Sequence, residues 1–205
     1  MALSQDPRSW NAKAAKAAKD PSVCFADFAP FAFIVVALCA VVLAAAPQIA
    51  RPKSQPDVKF VGTPQSAVDA MLELAHVTAD DVVYDLGSGD GRIPITAAKR
   101  YGARGVGIKI DRFYIRDAID NVAKAGVGGR VTFFHQDLFE ADIRDATVVT
   151  LFLLPRLNRQ LIPKLTRELR PGTRVVSHQF DMGDAWPPEQ TRDVNGLTIY
   201  LWTIR

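Results

Sequence analysis

The segment YDLGSGDGRI, residues 84–93, constrains the fold of this chain more than any other part of its sequence. It joins a β-branched run at 81–87 to an amphipathic helical pattern at 92–102. Glycines at alternate positions allow the backbone to turn sharply against a ligand, and the helix N-terminus behind them offers free N–H groups. A strand, a glycine-rich turn and a helix in this order predict a cofactor loop of the nucleotide-binding type.

The spacing of the glycines separates two classes of cofactor. A dinucleotide fingerprint requires G-x-G-x-x-G, but its third glycine would fall on Arg92, and the observed pattern is D-x-G-x-G-x-G. The carboxylates of Asp85 and Asp90 would repel a pyrophosphate, whereas they suit a ligand that carries cationic groups. The pattern therefore disfavours a nicotinamide-dependent oxidoreductase.

The other segments of the chain alternate between strand and helix. Such alternation predicts a parallel sheet that is covered by helices on both faces. Near the C-terminus, Asn195-Gly196 lies between two extended runs and is a strong signal for a two-residue β-hairpin. We therefore predict an α/β fold with a Rossmann-like, doubly wound, mostly parallel sheet that ends in an antiparallel hairpin. The further predicted strands lie at 103–110, 130–135, 146–154 and 171–180, and the further helices at 63–75, 113–125 and 157–169.

The N-terminal region contains a long apolar segment. Residues 28–50 include no charged side chain, and as a helix with a rise of ~1.5 Å per residue they would span a hydrocarbon layer of roughly 30 Å. We expect one transmembrane helix here. The chain then divides into an N-terminal tail at 1–27, the transmembrane helix at 28–50, a linker at 51–62 and a folded domain at 63–205.

Two other interpretations of residues 28–50 stay open. A cleaved signal peptide would explain the small residues Ala44–Ala46, but the leader is long, contains acidic residues and places Pro47 just after the cleavage point. A buried core helix is the second alternative, although this segment lacks the polar stripe that core helices normally show.

The charge and cysteine content argue against several functions. The formal net charge is only +3, from 25 basic and 22 acidic side chains, and the folded part of the sequence has no basic cluster of the kind that nucleic-acid binding requires. Cys24 and Cys39 both precede the folded domain, which therefore lacks a disulfide framework and a thiol nucleophile. The histidines show no spacing typical of metal ligands. We expect no nucleic-acid partner and no metal site.

The glycine motif and the terminal hairpin together carry a family resemblance. DLGSGDG resembles the first motif of the class I S-adenosylmethionine-dependent methyltransferases, and the hairpin resembles their reversed last strand. The resemblance covers residues 63–205 and implies S-adenosyl-L-methionine as the cofactor. It implies cofactor contacts from the glycine loop, the end of the second strand and the turn after the third strand. The implied residues are Asp85, Gly87, Ser88, Gly89, Asp90, Gly91, Lys109, Asp111, Asp137 and Leu138.

The resemblance also implies roles for these residues. Asp85 or Asp90 would face the ammonium group of the cofactor. Asp137 would accept a hydrogen bond from the adenine amino group, and Leu138 would supply a backbone N–H. A loop or helix cap is the alternative role for Asp137.

Lys109 departs from the family pattern, which places an acid at the end of the second strand to bind the ribose hydroxyls. An ammonium donates to a hydroxyl oxygen but cannot accept two hydroxyl hydrogens, and it would weakly repel the sulfonium. Asp111 points to the same side if the strand continues, and would then substitute for the acid. The hypothesis is that binding survives with a loss on the order of 1 to 3 kcal/mol, so that Lys109→Glu tightens it.

Candidate active-site residues lie at 150–155, after the fourth strand, and at 178–181, after the fifth, because ligands of open α/β sheets bind at the carboxyl edge. His178 and Asp181, in VSHQFDMGDAW, are suited to orienting or deprotonating an amine. The alternative for His178 is a structural histidine at a strand end. Leu154-Pro155 stands where methyltransferases that act on planar amides or bases carry Asn/Asp-Pro-Pro-aromatic, which disfavours DNA adenine and glutamine substrates.

A narrower resemblance concerns the substrate. TPQSAVDAML, VTLFLLPRLN and PKLTRELRPGTRVVS are similar to bacterial relatives of the mitochondrial protein-lysine methyltransferases that modify the ATP synthase c-subunit and the adenine nucleotide translocase. Those mitochondrial enzymes also carry an apolar segment ahead of the catalytic domain. The resemblance implies a membrane-anchored enzyme that N-methylates a lysine of a protein, with a membrane protein as a candidate substrate.

Two alternative functions stay open from the sequence. One is a methyltransferase that acts on a small molecule or a lipid-borne group, and the other is a catalytically silent module that binds the cofactor or a partner, as Lys109 suggests. Because the cofactor is cytosolic, we expect a single pass through the inner (cytoplasmic) membrane, with the catalytic domain facing the cytoplasm.

Overall fold

The structure, a computed structural model, describes residues 61–205. Helices and strands alternate along most of this range, as the sequence predicts. In chain order the elements are α1 (Gln65–Leu74), β1 (Val82–Leu86), α2 (Arg92–Tyr101), β2 (Arg104–Lys109), α3 (Phe113–Ala125), β3 (Val131–His135), β4 (Val148–Leu151), α4 (Pro155–Glu168), β5 (Arg174–His178), a 3₁₀ turn (Gly183–Ala185), β6 (Gln190–Val194) and β7 (Leu197–Thr203).

The strands form one seven-stranded sheet in the order β3-β2-β1-β4-β5-β7-β6. β1 to β5 run parallel to one another, whereas β7 runs antiparallel to both β5 and β6. The strand order reverses between β1 and β4, which is where open α/β sheets bind ligands. The predicted Rossmann-like sheet with a terminal antiparallel hairpin is confirmed.

The two faces of the sheet pack against different helices, because side chains alternate between the faces along a strand. On one face, Val83, Val148 and Val176 belong to a buried cluster that includes the apolar side of α1 and Ile93 of α2. On the other face, a second buried cluster joins the sheet to α4. Its members include Leu86, Val149, Leu151, Val175, Leu157, Leu161 and Leu165.

Strand register brings four polar or charged side chains to the carboxyl edge of the first face. Asp85 of β1 lies opposite Thr150 of β4 and Gly107 of β2. Lys109 follows Gly107 by two residues, and His178 follows the β5 partner of Thr150 by two residues. Because the side-chain period of a strand is two, Lys109 and His178 belong to the same face as Asp85.

β4 is shorter than the sequence predicts. The predicted strand covers 146–154, but β4 ends at Leu151. Leu154 is the N-cap residue of α4 and Pro155 begins that helix, where the missing N–H of proline removes no hydrogen bond. The predicted end was wrong because an uninterrupted apolar run does not reveal where its strand stops. As a result, Phe152 lies in the connection at the carboxyl edge.

The C-terminal hairpin has the turn that its sequence predicts. Asn195 and Gly196 have φ of +55° and +79°, and φ is positive at both central positions of a type I′ turn. The Gly196 N–H donates to the Asp193 carboxylate at 3.1 Å. The hairpin therefore closes the sheet with β6 at its edge.

The predicted transmembrane helix at 28–50 lies outside the described residues. Within residues 61–205, none of the helices combines the length and the apolar character needed to cross a membrane. The fold described here is that of the predicted catalytic domain.

Candidate functional site

The loop after β1 has a backbone conformation that favours glycine at three positions. Gly87, Gly89 and Gly91 have φ of +94°, +47° and +82°. A Cβ at Gly91 would lie 2.5 Å from Phe133 Cζ, so a side chain there would clash and also strain the backbone. The Gly87 N–H donates to the Ile108 carbonyl oxygen at 3.0 Å, which ties the loop to β2. The loop is a fixed cradle whose backbone a ligand can approach closely.

Asp85, the residue at the entrance to this loop, is only 4% exposed. The Thr150 hydroxyl donates to Asp85 Oδ1 at 2.8 Å. Burial raises the pKa of Asp85 to about 6, although the Thr150 and Ser88 hydroxyls act in the lowering direction. The Ser88 oxygen is itself buried and forms no regular hydrogen bond with any of residues 61–205. A buried hydroxyl of this kind beside a buried carboxylate is available to a polar ligand.

Asp90, the second acid of the loop, is bound by the protein itself. Arg92 donates to the Asp90 carboxylate from Nη2 at 2.6 Å and from Nε at 2.9 Å. Burial acts to raise the pKa of Asp90, but the hydrogen bonds and charge of Arg92 outweigh it, so this pKa lies below its ordinary value. Arg92 also donates to the Thr63 carbonyl oxygen at 2.6 Å. Asp90 and Arg92 therefore join the loop to the segment before α1, and Asp85 is the better placed of the two acids to receive a cationic ligand group.

Lys109, at the end of β2, is 4% exposed and donates to the carbonyl oxygen of Gly89 in the loop. Its ammonium lies 5.4 Å from the centroid of the Tyr114 ring, within cation–π distance. Burial lowers the pKa of Lys109 to about 8, against the opposing effect of neighbouring carboxylates. β2 ends at Lys109, so strand alternation does not place Asp111 on the same side. The carboxylate of Asp111 nevertheless acts on the Lys109 ammonium electrostatically.

Asp137 and Leu138 follow β3 at the same edge of the sheet. The Asp137 carboxylate accepts a hydrogen bond from the Phe139 N–H at 2.9 Å, which folds the turn on itself. The preceding residue, Gln136, donates its N–H to the Lys109 carbonyl oxygen at 2.9 Å, so this turn adjoins the end of β2. The structure therefore brings the predicted cofactor residues together along the ends of β1, β2 and β3.

His178, the last residue of β5, is 2% exposed. Neither of its ring nitrogens has a hydrogen-bond partner among the described residues. Its ring centroid lies 4.3 Å from that of Phe152. Burial lowers the pKa of His178 below its ordinary value, so the imidazole is neutral at pH 7. A buried neutral imidazole with two unsatisfied nitrogens calls for a ligand, because buried polar groups are otherwise paired.

The chain reverses its direction immediately after β5. Gln179 has a φ of +66°, which is uncommon for a residue other than glycine, and its N–H donates to the Thr198 carbonyl oxygen at 2.7 Å. This turn places the Phe180 ring 6.2 Å from the Phe152 ring, with the two planes 12° apart. Both rings are half-buried, so an aromatic rim flanks the buried His178.

Asp181 has a different environment from His178. Its Oδ1 accepts a hydrogen bond from the Gly183 N–H at 3.1 Å, and its carbonyl oxygen accepts one from Asn158 Nδ2 at 3.3 Å. No hydrogen bond joins Asp181 to His178, whose nitrogens are both unpartnered within residues 61–205. The Asp181 carboxylate therefore forms an Asx turn just before the 3₁₀ turn, and its catalytic role stays a prediction.

Thr150, Phe152 and Phe180 lie within the two segments, 150–155 and 178–181, that the sequence analysis named as candidates, but sequence reasoning assigned none of them a role of its own. Thr150 is found by the register of β4 with β1, and Phe152 by the register of β4 with β5, neither of which a local pattern encodes. For metals, residues 61–205 contain no group of three or more His, Cys, Asp or Glu side chains placed to hold an ion.

Comparisons with known proteins place this geometry in a family context. The family model described as the ANTKMT methyltransferase domain matches residues 85–190, which include the glycine loop and His178. A protein-lysine N-methyltransferase of Saccharolobus islandicus (strain REY15A) is 49% identical over 154 residues, covering 73% of this chain and 95% of that protein. The Mus musculus lysine N-methyltransferase of the ATP synthase c-subunit is 31% identical over 166 residues, covering 81% of this chain. The chain spans 66% of the length of the mouse relative.

A solved structure is also similar to this chain. It is the crystal structure of an RNA methyltransferase from Salinibacter ruber in complex with S-adenosyl-L-homocysteine. The two share 58% sequence identity and superpose with a TM-score of 0.69, covering 70% of this chain and 94% of the Salinibacter chain. S-adenosyl-L-homocysteine is the molecule that remains when S-adenosyl-L-methionine has given up its methyl group.

Proposed function

Since this chain belongs to the ANTKMT methyltransferase domain family and is a class I S-adenosylmethionine-dependent methyltransferase, we propose that it methylates the side-chain amine of a lysine in a protein. The observation that carries the proposal is the buried imidazole of His178, which has no hydrogen-bond partner among the described residues and packs against the Phe152 ring. The names of the Saccharolobus and mouse relatives, both lysine N-methyltransferases, support the same substrate class.

The residues along β1, β2 and β3 suit this cofactor. Positive φ values at Gly87, Gly89 and Gly91 turn the loop backbone sharply at the end of β1. Beside this turn, Asp85 offers a buried carboxylate to the cofactor ammonium, with the Ser88 hydroxyl next to it. Asp137 and Leu138 would receive the adenine. When bound, the cofactor supplies a methyl group on a sulfonium. An in-line displacement at that methyl group releases a neutral thioether, which is a good leaving group.

The acceptor half of the site must deliver a neutral amine. A lysine ammonium has an ordinary pKa of ~10.4, and burial between apolar rings lowers that pKa because it penalises the charged form. The faces of Phe152 and Phe180 can hold the cationic lysine as it enters. The neutral His178 imidazole would accept a proton from the lysine ammonium, which leaves a neutral amine whose lone pair can attack the methyl group that the cofactor supplies.

A second candidate substrate is RNA, because the Salinibacter structure at 58% identity is named an RNA methyltransferase. We propose to separate the two with the full chain, S-adenosylmethionine labelled in the methyl group, and a cell lysate. Label that survives RNase, is lost on protease treatment and is recovered as methyllysine after hydrolysis supports the proposed function. Label that RNase removes would overturn it in favour of RNA, and label that enters an organic extract would point to a lipid or small molecule.

Membrane attachment is a further part of the proposal. The uncharged segment at 28–50 supports a single-pass anchor in the inner (cytoplasmic) membrane, with residues 63–205 on the cytoplasmic side where the cofactor is made. Such an anchor would present the site to lysines of membrane proteins. The full chain should stay in the membrane pellet after alkaline carbonate extraction and be digested by protease added from the cytoplasmic side. Release into the carbonate supernatant would contradict the anchor without affecting the choice of acceptor.

A further inference from the structure

Lys109 puts a buried positive charge inside a site that binds a cationic cofactor. It occupies the end of β2, on the same face as Asp85 of the neighbouring strand β1. Its side chain is 4% exposed and its ammonium donates to the Gly89 carbonyl oxygen in the glycine loop. The ring of Tyr114 lies on another side of the same ammonium, at 5.4 Å. The charge is therefore held in place by the loop and α3 and is shielded from solvent.

The nearby acids do not remove this charge from the site. The Asp90 carboxylate is bound by Arg92, and Asp85 accepts its hydrogen bond from Thr150 rather than from Lys109. Among the described contacts of Lys109, the direct hydrogen-bond acceptor is the neutral carbonyl oxygen of Gly89. A buried charge is screened much less by salt and water than an exposed one, so Lys109 acts on a ligand in the loop more strongly than a surface lysine would.

The donor and the product of methyl transfer differ at the atom that senses this charge. S-adenosylmethionine carries a positive sulfonium, whereas S-adenosylhomocysteine carries a neutral thioether at the same position. The adenine, ribose and amino-acid groups of the two molecules are the same. A fixed cation beside the loop consequently destabilises the bound donor and leaves the bound product almost unaffected.

We propose that Lys109 is a specificity-determining residue that shifts the cofactor preference of this enzyme from the methyl donor toward the demethylated product. The demethylated product then competes with the methyl donor more strongly than it would without the charge of Lys109. The proposal rests on the identity of the cofactor and does not depend on which acceptor is methylated.

The test is the ratio of two dissociation constants, that of the donor divided by that of the product, measured by calorimetry on the full chain. Hydrogen bonds to the ribose affect both ligands alike and cancel in this ratio. Lys109→Gln removes the charge and Lys109→Glu reverses it. We expect the ratio to fall about tenfold for the glutamine variant and further for the glutamate variant, as for unit charges several ångströms apart in a protein.

Lys99→Glu is the matched control. Lys99 is exposed in the last turn of α2, so its substitution makes the same change in net charge outside the loop. Its ratio should equal that of the native chain within about twofold, because exposed charges are screened. Equal ratios for the native chain and both Lys109 variants would overturn the proposal, as would an equal fall in the Lys99 variant.

A measurement on the native chain keeps the proposal testable if the Lys109 variants fail to fold. Burial lowers the pKa of Lys109 to about 8, so the donor-to-product ratio should fall as pH rises from 7 to 9. Several carboxylates face this ammonium, and the amine that both ligands carry titrates in both. These carboxylates are Asp85 of β1, Asp90 of the loop, and Asp111 and Asp117 beside and on α3; the remaining neighbours are Tyr114 of α3 and the exposed His135 of β3. A ratio that is constant from pH 7 to 9 would count against the proposal.

Discussion

The two halves of the carboxyl edge differ in whether their buried polar groups have partners within the protein. In the β1–β2 half, charged groups have partners from the chain itself: Arg92 holds Asp90, and the Gly89 carbonyl holds Lys109. In the β4–β5 half, the His178 imidazole packs against the Phe152 ring and has no hydrogen-bond partner among the described residues. The first half is organised before a ligand arrives, whereas the second leaves its polar group for the incoming substrate. This difference fits a cofactor half, along β1 and β2, that binds a ligand of constant shape, and an acceptor half, along β4 and β5, that binds a group supplied by another molecule.

The same comparison extends to pH. Burial raises the pKa of Asp85 to about 6, so the folded state binds this proton more tightly than the unfolded state does. Burial lowers the pKa of His178, so the folded state binds that proton less tightly. On acidification, Asp85 therefore adds stability below about pH 6, while His178 removes stability once the pH falls below its ordinary pKa of ~6.5.

The largest effect is expected in the acceptor half, from His178→Gln. The variant keeps a polar side chain of similar size but loses the base, so kcat should fall about 100-fold, the lower end of the range for general bases. Cofactor affinity should stay within about twofold, because His178 lies outside the cofactor half. Methyltransfer rates and calorimetry check the two parts separately. His76→Gln, an exposed histidine, is the control. A loss of cofactor binding in His178→Gln would show that His178 also contributes to the cofactor half, which would contradict the comparison.

The next effect is expected in the cofactor half, from Gly91→Ala. The new Cβ would lie 2.5 Å from Phe133 and the residue would keep a φ of +82°, so the loop must move. We expect a stability loss on the order of 2 to 4 kcal/mol and a cofactor affinity about 30-fold lower. Gly126→Ala is the control, because Gly126 shares the positive φ but has no atom within 4 Å of an added Cβ. Thermal unfolding should show a loss of about 1 kcal/mol in the free energy of unfolding, and calorimetry should show an unchanged cofactor affinity. Similar affinities for the two variants would show that contact with Phe133 does not shape the loop.

Asp85→Asn should separate stability from binding within the cofactor half. At pH 7 the ionised, buried carboxylate opposes folding, since its folded-state pKa is about 6 rather than the ordinary 3.8. The amide removes this penalty, so the free energy of unfolding of the ligand-free protein should rise by on the order of 1 to 3 kcal/mol above pH 6. This gain should disappear as the pH falls toward 4. Cofactor affinity should fall about tenfold with the loss of the charged acceptor. Thermal scans across pH, with the exposed Asp142→Asn as control, check the sign. A destabilised Asp85→Asn at pH 7 would mean that the carboxylate is paired more strongly than its burial indicates.

Much of the fold could be predicted because its signals are local. Gly102 and Gly126 end α2 and α3, Asn195-Gly196 defines a turn by itself, and alternation of strands and helices implies a parallel sheet. The predicted end of β4 was wrong, although Leu154-Pro155 carried a usable helix-start signal that the apolar run hid.

The contacts inside the site were less accessible to the sequence. The segment GVGIKID does not predict that Lys109 contacts the carbonyl oxygen of Gly89, because that contact depends on the register of β1 with β2. The meeting of Phe152 with His178 likewise depends on the register of β4 with β5, together with a chain reversal at Gln179 that a non-glycine residue rarely makes. Residue types predicted which side chains carry chemistry, and long-range pairing decides which of them meet.

The smallest effect is expected from Asp181→Ala, and it sharpens the assignment within the acceptor half. The Asp181 carboxylate accepts a hydrogen bond from the Gly183 N–H at 3.1 Å and makes none with His178. Removing a hydrogen bond of this kind costs about 0.5 to 1 kcal/mol, which thermal unfolding would detect as a shift of a few degrees. If His178 acts without an orienting carboxylate, kcat should stay within about threefold of the native value, far from the loss expected of a general base. A fall in kcat as large as that of His178→Gln would instead make the two residues a working pair, with a carboxylate that turns toward the imidazole only when the acceptor is bound.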